Sequence, residues 1–468
     1  MAKRSRPLAS PPPEAWDGLL RLARLATRPL EHFLRIEAAS GILLLVAAAV
    51  ALIWANSPWA DTYTRLWDTP LGLRLGPWAF ERSLAWWVND GLMAIFFFAV
   101  GLEIRREIHH GELSQWRRAA LPAAAALGGA IVPAGLYLAI AGAEATRSGW
   151  GVPMATDIAF AVGILTLLGK RVPPALRVLL LAVAVIDDLG AIIVIALFYS
   201  SGVSLTGFAI AAGGLVAILL IQRLGVRSRA VYVAPALVVW AGVYAAGVHP
   251  TIAGVLVGLI TPVRAWLGTE GFLASVRHDL EELASARVGA SAHAVSSSLQ
   301  QVDLARREAL SPAESLIESL HPWVAFGIMP VFALANAGVA LGGVSFDAAS
   351  WTVVTGVTVG LMVGKPIGLL LACGLVLRLG IARLPAGLTT RHLLVLGTVA
   401  GVGFTMALFI AQLAFAEPML LGAGKVGVLA ASGGAAILAL ILGRVLLPTA
   451  PADGAARSAD EAEDSTRS

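Results

Sequence analysis

Four ionisable residues stand where a bilayer tolerates almost none. Asp157 lies in VPMATDIAFAVGIL, Asp187 and Asp188 lie side by side in VLLLAVAVIDDLGAIIVIALF, and Lys365 lies in VGLMVGKPIGLLLACG. Each Asp or Lys at the centre of a membrane span costs about 2.5 to 3.5 kcal/mol on insertion scales, so the four together cost roughly 10 to 14 kcal/mol. That sum rivals the net stability of a whole protein, which makes a purely structural role expensive. The chemistry open to such a set is exchange: a carboxylate holds a proton or a hard cation with the same oxygens, so each displaces the other. Consecutive helical residues point about 100° apart, so Asp187 and Asp188 do not share one narrow target. One is expected to engage a fixed partner while the other faces an aqueous cavity. Lys365, embedded in a span, is the economical partner, and the set then titrates as one coupled unit. The competing reading is of buried polar groups that only hydrogen-bond helices together.

A hard cation also wants uncharged oxygens. Thr156 precedes Asp157 in a stretch rich in Pro and Gly (WGVPMATDIAFAVGILTLLG), where unwound backbone can offer carbonyls. GTVAGVGFTMALF, residues 397–409, is equally Gly-rich within a late span. Two interrupted segments in corresponding positions suggest an inverted repeat with its site at the midplane, although glycine also serves helix packing.

The elements that must position these groups are membrane spans. The 468-residue chain is 57% hydrophobic and only 14% charged. Apolar runs recur at the length, about 20 residues, that crosses roughly 30 Å of hydrocarbon. The spans are 37–55, 84–104, 119–141, 150–168, 174–199 and 204–222, then 230–247, 248–262, 318–338, 350–377, 392–415 and 422–446. The seventh and eighth are short and separated only by GVHP. Of 34 Lys and Arg residues, 28 fall in alternate connections and the two terminal segments, with Arg65, Arg74, Arg82, Arg147 and Lys425 assigned to the opposite side. By the positive-inside rule both termini are cytoplasmic. The charges lie between apolar runs and form no basic stripe interleaved with aromatics, so no nucleic-acid partner is expected despite a pI near 9.5. Cys373, the single cysteine, sits inside an apolar run and reads as packing.

The organisation is a cytoplasmic N-terminal segment 1–36 with no cleavable signal, an all-α membrane domain 37–446, and a disordered cytoplasmic tail 447–468. A long polar cytoplasmic loop at 266–316 reads as a tolerated insertion with enough Ala, Leu, Glu and Arg for a helix. Loop 69–83 (TPLGLRLGPWAFERS) is read as a β-hairpin or an irregular loop.

Several strings in this order resemble the NhaA family of bacterial sodium/proton antiporters over residues 30 to 446. They are NDGLMAIFFFAVGLEIRRE (89–107), ATDIAFAVG (155–163), IDDLGAI (186–192), GVHPTIAGVLVGL (247–259), LHPWVAF (320–326), FALANAGV (332–339), GKPIG (364–368) and GVGFTMALFIA (401–411). The resemblance implies twelve helices with the fourth and eleventh broken and crossing at the midplane. It implies Asp188 as principal cation ligand and proton carrier, Asp187 as its partner, and Lys365 paired with Asp187 in one state. Thr156 and Asp157 would lie at the crossing, with Asp157 balancing the positive helix ends. Glu103, Arg106 and Glu107 match a cytoplasmic pH-sensing motif, and His249 and His321 match positions linked to pH response. Where the family has a glutamate four residues ahead of His321, this chain has Ile317, with Glu314 and Glu318 nearby.

The expected activity is electrogenic exchange of cytoplasmic sodium, or lithium, for external protons, activated at alkaline pH. It is transport and not enzyme catalysis, needs no cofactor, and is expected in the bacterial inner membrane, by a homodimer among membrane lipids with no other protein partner. The alternatives are a passive cation channel on the same fold and an intramembrane aspartyl protease. The latter wants its aspartates on two helices facing one water, and no GxGD string occurs.

Overall fold

The computed structural model describes residues 39–448 apart from 76–77, 201, 203, 266–267, 269–270, 278–308 and 341–346. The N-terminal segment 1–36, most of the 266–316 loop and the tail from 449 lie outside the described residues.

A chain in hydrocarbon must satisfy its backbone internally, and the described residues do so almost wholly with helices. Helix α1 (Ala39–Ala55) turns through 113° into the short α2 (Ala60–Asp68). Strands β1 (Pro70–Leu75) and β2 (Trp78–Ser83) pair antiparallel, from Pro70 opposite Ser83 to Leu75 opposite Trp78. The 69–83 loop is therefore a hairpin. Helices α3 (Leu84–His110) and α4 (Trp116–Ala141) follow, then a 3-10 stretch (Arg147–Met154) that breaks into α5 (Ile158–Leu167). After α6 (Pro174–Phe198) and α7 (Leu205–Arg223) come two shorter helices, α8 (Arg229–Ala245) and α9 (Thr251–Ile260). The chain then forms α10 (Pro312–Asn336), α11 (Ala348–Arg378), the consecutive halves α12 (Thr390–Ala400) and α13 (Phe404–Ala414), and α14 (Pro418–Leu446).

Seven described helices are long and apolar enough to cross a bilayer, and ten spans result if each bent pair counts as one. With 10 residues, α9 is about 15 Å long, half a bilayer core, and so does not fill the predicted span 248–262 by length. Exposed apolar side chains such as Ile53, Ile131 and Leu197 form a rim suited to lipid.

Three long helices contain a π turn: Trp87–Leu92 in α3, Val324–Ile328 in α10 and Gly360–Gly364 in α11. In α10 and α11 that turn holds the carbonyl four residues before a proline, Phe326 before Pro330 and Met362 before Pro366, the acceptor a proline cannot use. Lys365 directly follows the turn in α11. Helices α4 and α11 approach until the backbones of Gly128 and Gly368 touch, each occupying the space a Cβ on the other would need. Lys425, assigned above to the outer connections, lies instead within α14, about two turns from its start, and is half-buried.

Candidate functional site

The site begins where two spans come apart. Between the 3-10 stretch and α5, Ala155 and Asp157 are extended (φ −76°, ψ 149° and φ −94°, ψ 104°), and α5 is bent by 42° from what precedes it. Between α12 and α13, residues 401–403 interrupt the ladder and the axis bends by 47°. The two breaks meet. The Asp157 N–H donates to the Val402 carbonyl at 2.8 Å, so each interruption supplies backbone groups the other needs. Gly403 permits the approach, since a Cβ there would stand 2.9 Å from the Ala155 carbonyl oxygen.

Asp157, 0% exposed, bridges the two new helix ends. Its Oδ1 accepts from the Phe160 N–H at 3.0 Å, capping α5, and its Oδ2 accepts from the Thr405 N–H at 3.1 Å and the Thr405 hydroxyl at 2.5 Å in the first turn of α13. One anion thus faces two positive helix ends, at a position where it also satisfies donors that have no partner inside their own helices. The Ser432 hydroxyl of α14 accepts from the Phe404 N–H at 3.1 Å and completes the start of α13.

Asp187 and Asp188 project from the middle of α6 and have different surroundings. Asp187 Oδ2 is 2.7 Å from Lys365 Nζ and 2.6 Å from the Thr156 hydroxyl. Lys365 Nζ also donates to the Met154 carbonyl, at the end of the 3-10 stretch. The Thr156 hydroxyl stands 3.2 Å from the Ala400 carbonyl, so the lysine, the threonine and both broken segments gather around one carboxylate. Asp187 has fixed partners, whereas Asp188 Oδ2 has no hydrogen-bond partner among the described residues. Asp188 is only 1% exposed, so it does not open onto water as expected. Asp187, Glu103, Asp157 and Lys365 all lie within electrostatic range of it.

Of the five expected pH-sensing residues, the structure brings one to the centre. Glu103 of α3 interacts with Asp188 and, on its own helix, with Arg106 and Glu107. Glu107 Oε1 accepts from the Glu112 N–H at 2.7 Å, which ties down the following turn. His321 is exposed on α10. His249 lies before α9, with Nε2 3.4 Å from Asp90 Oδ1, Nδ1 2.8 Å from the Thr251 hydroxyl and its ring edge-on to Phe409 of α13. Neither alternative glutamate replaces the side chain at 317. Ile317 is buried against Leu102, Glu314 forms a capping box with Ser311, and Glu318 is exposed.

Thr405, Ser432 and Asp90 escape attention in the sequence. Thr405 is visible as a hydroxyl just after the GVG break, in the first turn where a donor can face an anion. No residue pattern marks Ser432, because a serine in a small-residue helix looks like packing.

A family model described as Na+/H+ antiporter 1 matches residues 31–442. Among similar proteins, a Na(+)/H(+) antiporter NhaA 2 of Myxococcus xanthus is 70% identical over 456 residues, covering 97% of both chains. A protein of the same name from Sorangium cellulosum is 57% identical over 461 residues, 98% of each chain. Another from Pseudomonas putida is 51% identical over 427 residues, 90% of this chain and 94% of that one.

Proposed function

Because the chain belongs to the Na+/H+ antiporter 1 family, whose members are transporters and not enzymes, we propose that it exchanges sodium for protons across the membrane. The observation that carries this reading is the unequal carboxylate pair: Asp187 held by Lys365 and Thr156, and beside it a buried Asp188 oxygen with no partner among the described residues.

In the proposed cycle, sodium binds deprotonated Asp187 and Asp188 from the cytoplasm, aided by neutral oxygens of Thr156 and the extended segments. The site then turns outward, and protons displace the ion from the same oxygens. If both carboxylates reload, about two protons enter per sodium, which makes exchange electrogenic and lets the membrane potential drive export. Lithium, also a hard cation, suits the same donors. Asp157 is proposed to act by holding the crossing together, since both its oxygens already have donors.

The proposed architecture is twelve spans with α8 and α9 each counted as one, an inverted repeat, and the two breaks crossing at the midplane. Their mutual hydrogen bond supports that arrangement. The chain is a multi-pass bacterial membrane protein, and charge distribution supports an inner-membrane orientation with cytoplasmic termini. Activation at alkaline pH is proposed to reach the site through Glu103, and a homodimer is proposed through the edges of the β1–β2 hairpin. The protease alternative lacks support: adjacent positions on one helix, one of them committed to a lysine, do not form a dyad astride a single water. No contact among the described residues favours a passive channel.

The test uses everted vesicles carrying a pH-gradient dye. Sodium should dequench the dye with the wild-type chain and fail to do so with Asp188→Asn. An unchanged response in that variant overturns the assignment.

A further inference from the structure

A cavity of about 770 Å³ opens at the end of the membrane domain assigned to the cytoplasm, away from the aspartates. It is bounded by the starts of α4 and α6 and by the connection from α11 to α12. Arg117, Arg118 and Arg383 line it, and none of the three side chains has a hydrogen bond or ion pair among the described residues. Glu112 faces the same space, so three positive charges stand against one negative. Two helix N-termini add to this field. Trp116 opens α4 and Pro174 opens α6, and Arg117 and Ala175 of the cavity wall are each the next residue in. The positive ends of two long helices therefore point toward the place where the arginines gather.

The rest of the wall is apolar, with Leu121, Val178, Leu179 and Leu384 among its residues. Val178 is 47% exposed and Leu181, one turn further along α6, is 45% exposed, so the apolar surface continues onto the lipid-facing rim. A soluble anion would use the basic end and leave that surface uncovered. A molecule with a phosphate at one end and hydrocarbon at the other covers both.

We propose that this cavity binds an anionic phospholipid. Its phosphate lies among Arg117, Arg118 and Arg383, and an acyl chain runs along Leu121 and Val178 toward the rim. Basic pockets between helices on the cytoplasmic side recognise anionic headgroups in this way. The lipid would join the cytoplasmic ends of α6, which carries Asp187 and Asp188, and of α11, which carries Lys365. The proposal rests on the chain being a membrane protein and not on the ion-exchange cycle.

The test follows thermal unfolding of the purified full-length protein in detergent, titrated with dioleoylphosphatidylglycerol or dioleoylphosphatidylcholine. The phosphatidylglycerol is expected to raise the melting temperature and the phosphatidylcholine is not. In R117Q/R118Q/R383Q the phosphatidylglycerol midpoint should rise on the order of a hundredfold, about fivefold per arginine. Ala175→Trp, which keeps every charge but fills the wall, should also lose the response, and it decides the matter if the triple variant fails to fold. Retention of the wild-type response in Ala175→Trp, or in a folded triple variant, overturns the proposal. An equal rise with millimolar inorganic phosphate alone also overturns it, by identifying a soluble-anion site.

Discussion

The hydroxyl of Thr405 offers the sharpest test of how the crossing is held. Thr405→Val keeps the shape of the side chain and removes one donor from Asp157 Oδ2, leaving that oxygen with the Thr405 N–H alone. Asp157 and Thr405 are both 0% exposed, so water cannot replace the lost bond. A hydrogen bond to a charged group contributes about 1.5 to 3 kcal/mol, so a loss of about 2 kcal/mol is expected, roughly a thirtyfold change in the folded-to-unfolded ratio. Reversible unfolding in mixed micelles, followed by tryptophan fluorescence, measures it. Thr405→Ser keeps the donor and should recover most of the loss. Combined with Asp157→Asn, the valine substitution should cost less than it does alone, because its acceptor has already been changed, with a coupling of about 1 to 2 kcal/mol. Wild-type stability in Thr405→Val, or strict additivity in the double variant, would refute the claim that this pair binds the two broken spans.

Three further outcomes follow from the same contacts. Removing the lysine from the Lys365–Asp187 pair should destabilise by about 3 to 5 kcal/mol, whereas Lys365→Gln combined with Asp187→Asn should be milder than Lys365→Gln alone; the same unfolding assay decides. Gly403→Ala would press a methyl against the Ala155 carbonyl, so sodium-dependent dequenching should fall steeply while the protein still inserts, and full activity would show that the breaks are not in contact. Asp347 caps α11 through the Ser350 N–H at 2.8 Å, and hydrogen bonding by Ser350, side chain and backbone, holds its carboxyl below the usual pKa of 3.8. Its stabilisation is present above the ordinary value and disappears as pH falls through the lowered one, so Asp347→Ala should melt below wild type at pH 7 and converge with it as pH falls through that lowered value.

What could be read from the sequence tracks how unusual a residue is in its surroundings. Asp157, Asp187, Asp188 and Lys365 announce themselves because hydrocarbon penalises charge, and a pairing of Lys365 with one of the two aspartates follows from the shortage of other cations, whereas the choice of Asp187 comes from the family resemblance. The separate fates of Asp187 and Asp188 follow from helical geometry. The burial of Asp188 does not, because closure of the site depends on how whole helices pack. Thr405 and Ser432 stay hidden because a hydroxyl costs little in a helix and carries no periodic signal. The hairpin could be read from its Gly-Pro turn but not distinguished from an irregular loop, while the shortness of α9 shows in the sequence, where His249-Pro250 precedes it and Thr261-Pro262 follows it. At position 317 the chain departs from the family pattern, and only packing against Leu102 shows that Ile317 fills apolar space instead of sensing charge.

The hydrogen bond from the Asp157 N–H to the Val402 carbonyl has a kinematic consequence. Two broken spans that turned independently would need two separate movements to be coordinated each time an ion is handed across. Because they are joined at their breaks, a shift of either segment at that point displaces a backbone group that the other uses. A lesion on either segment should therefore disturb the other at the same point.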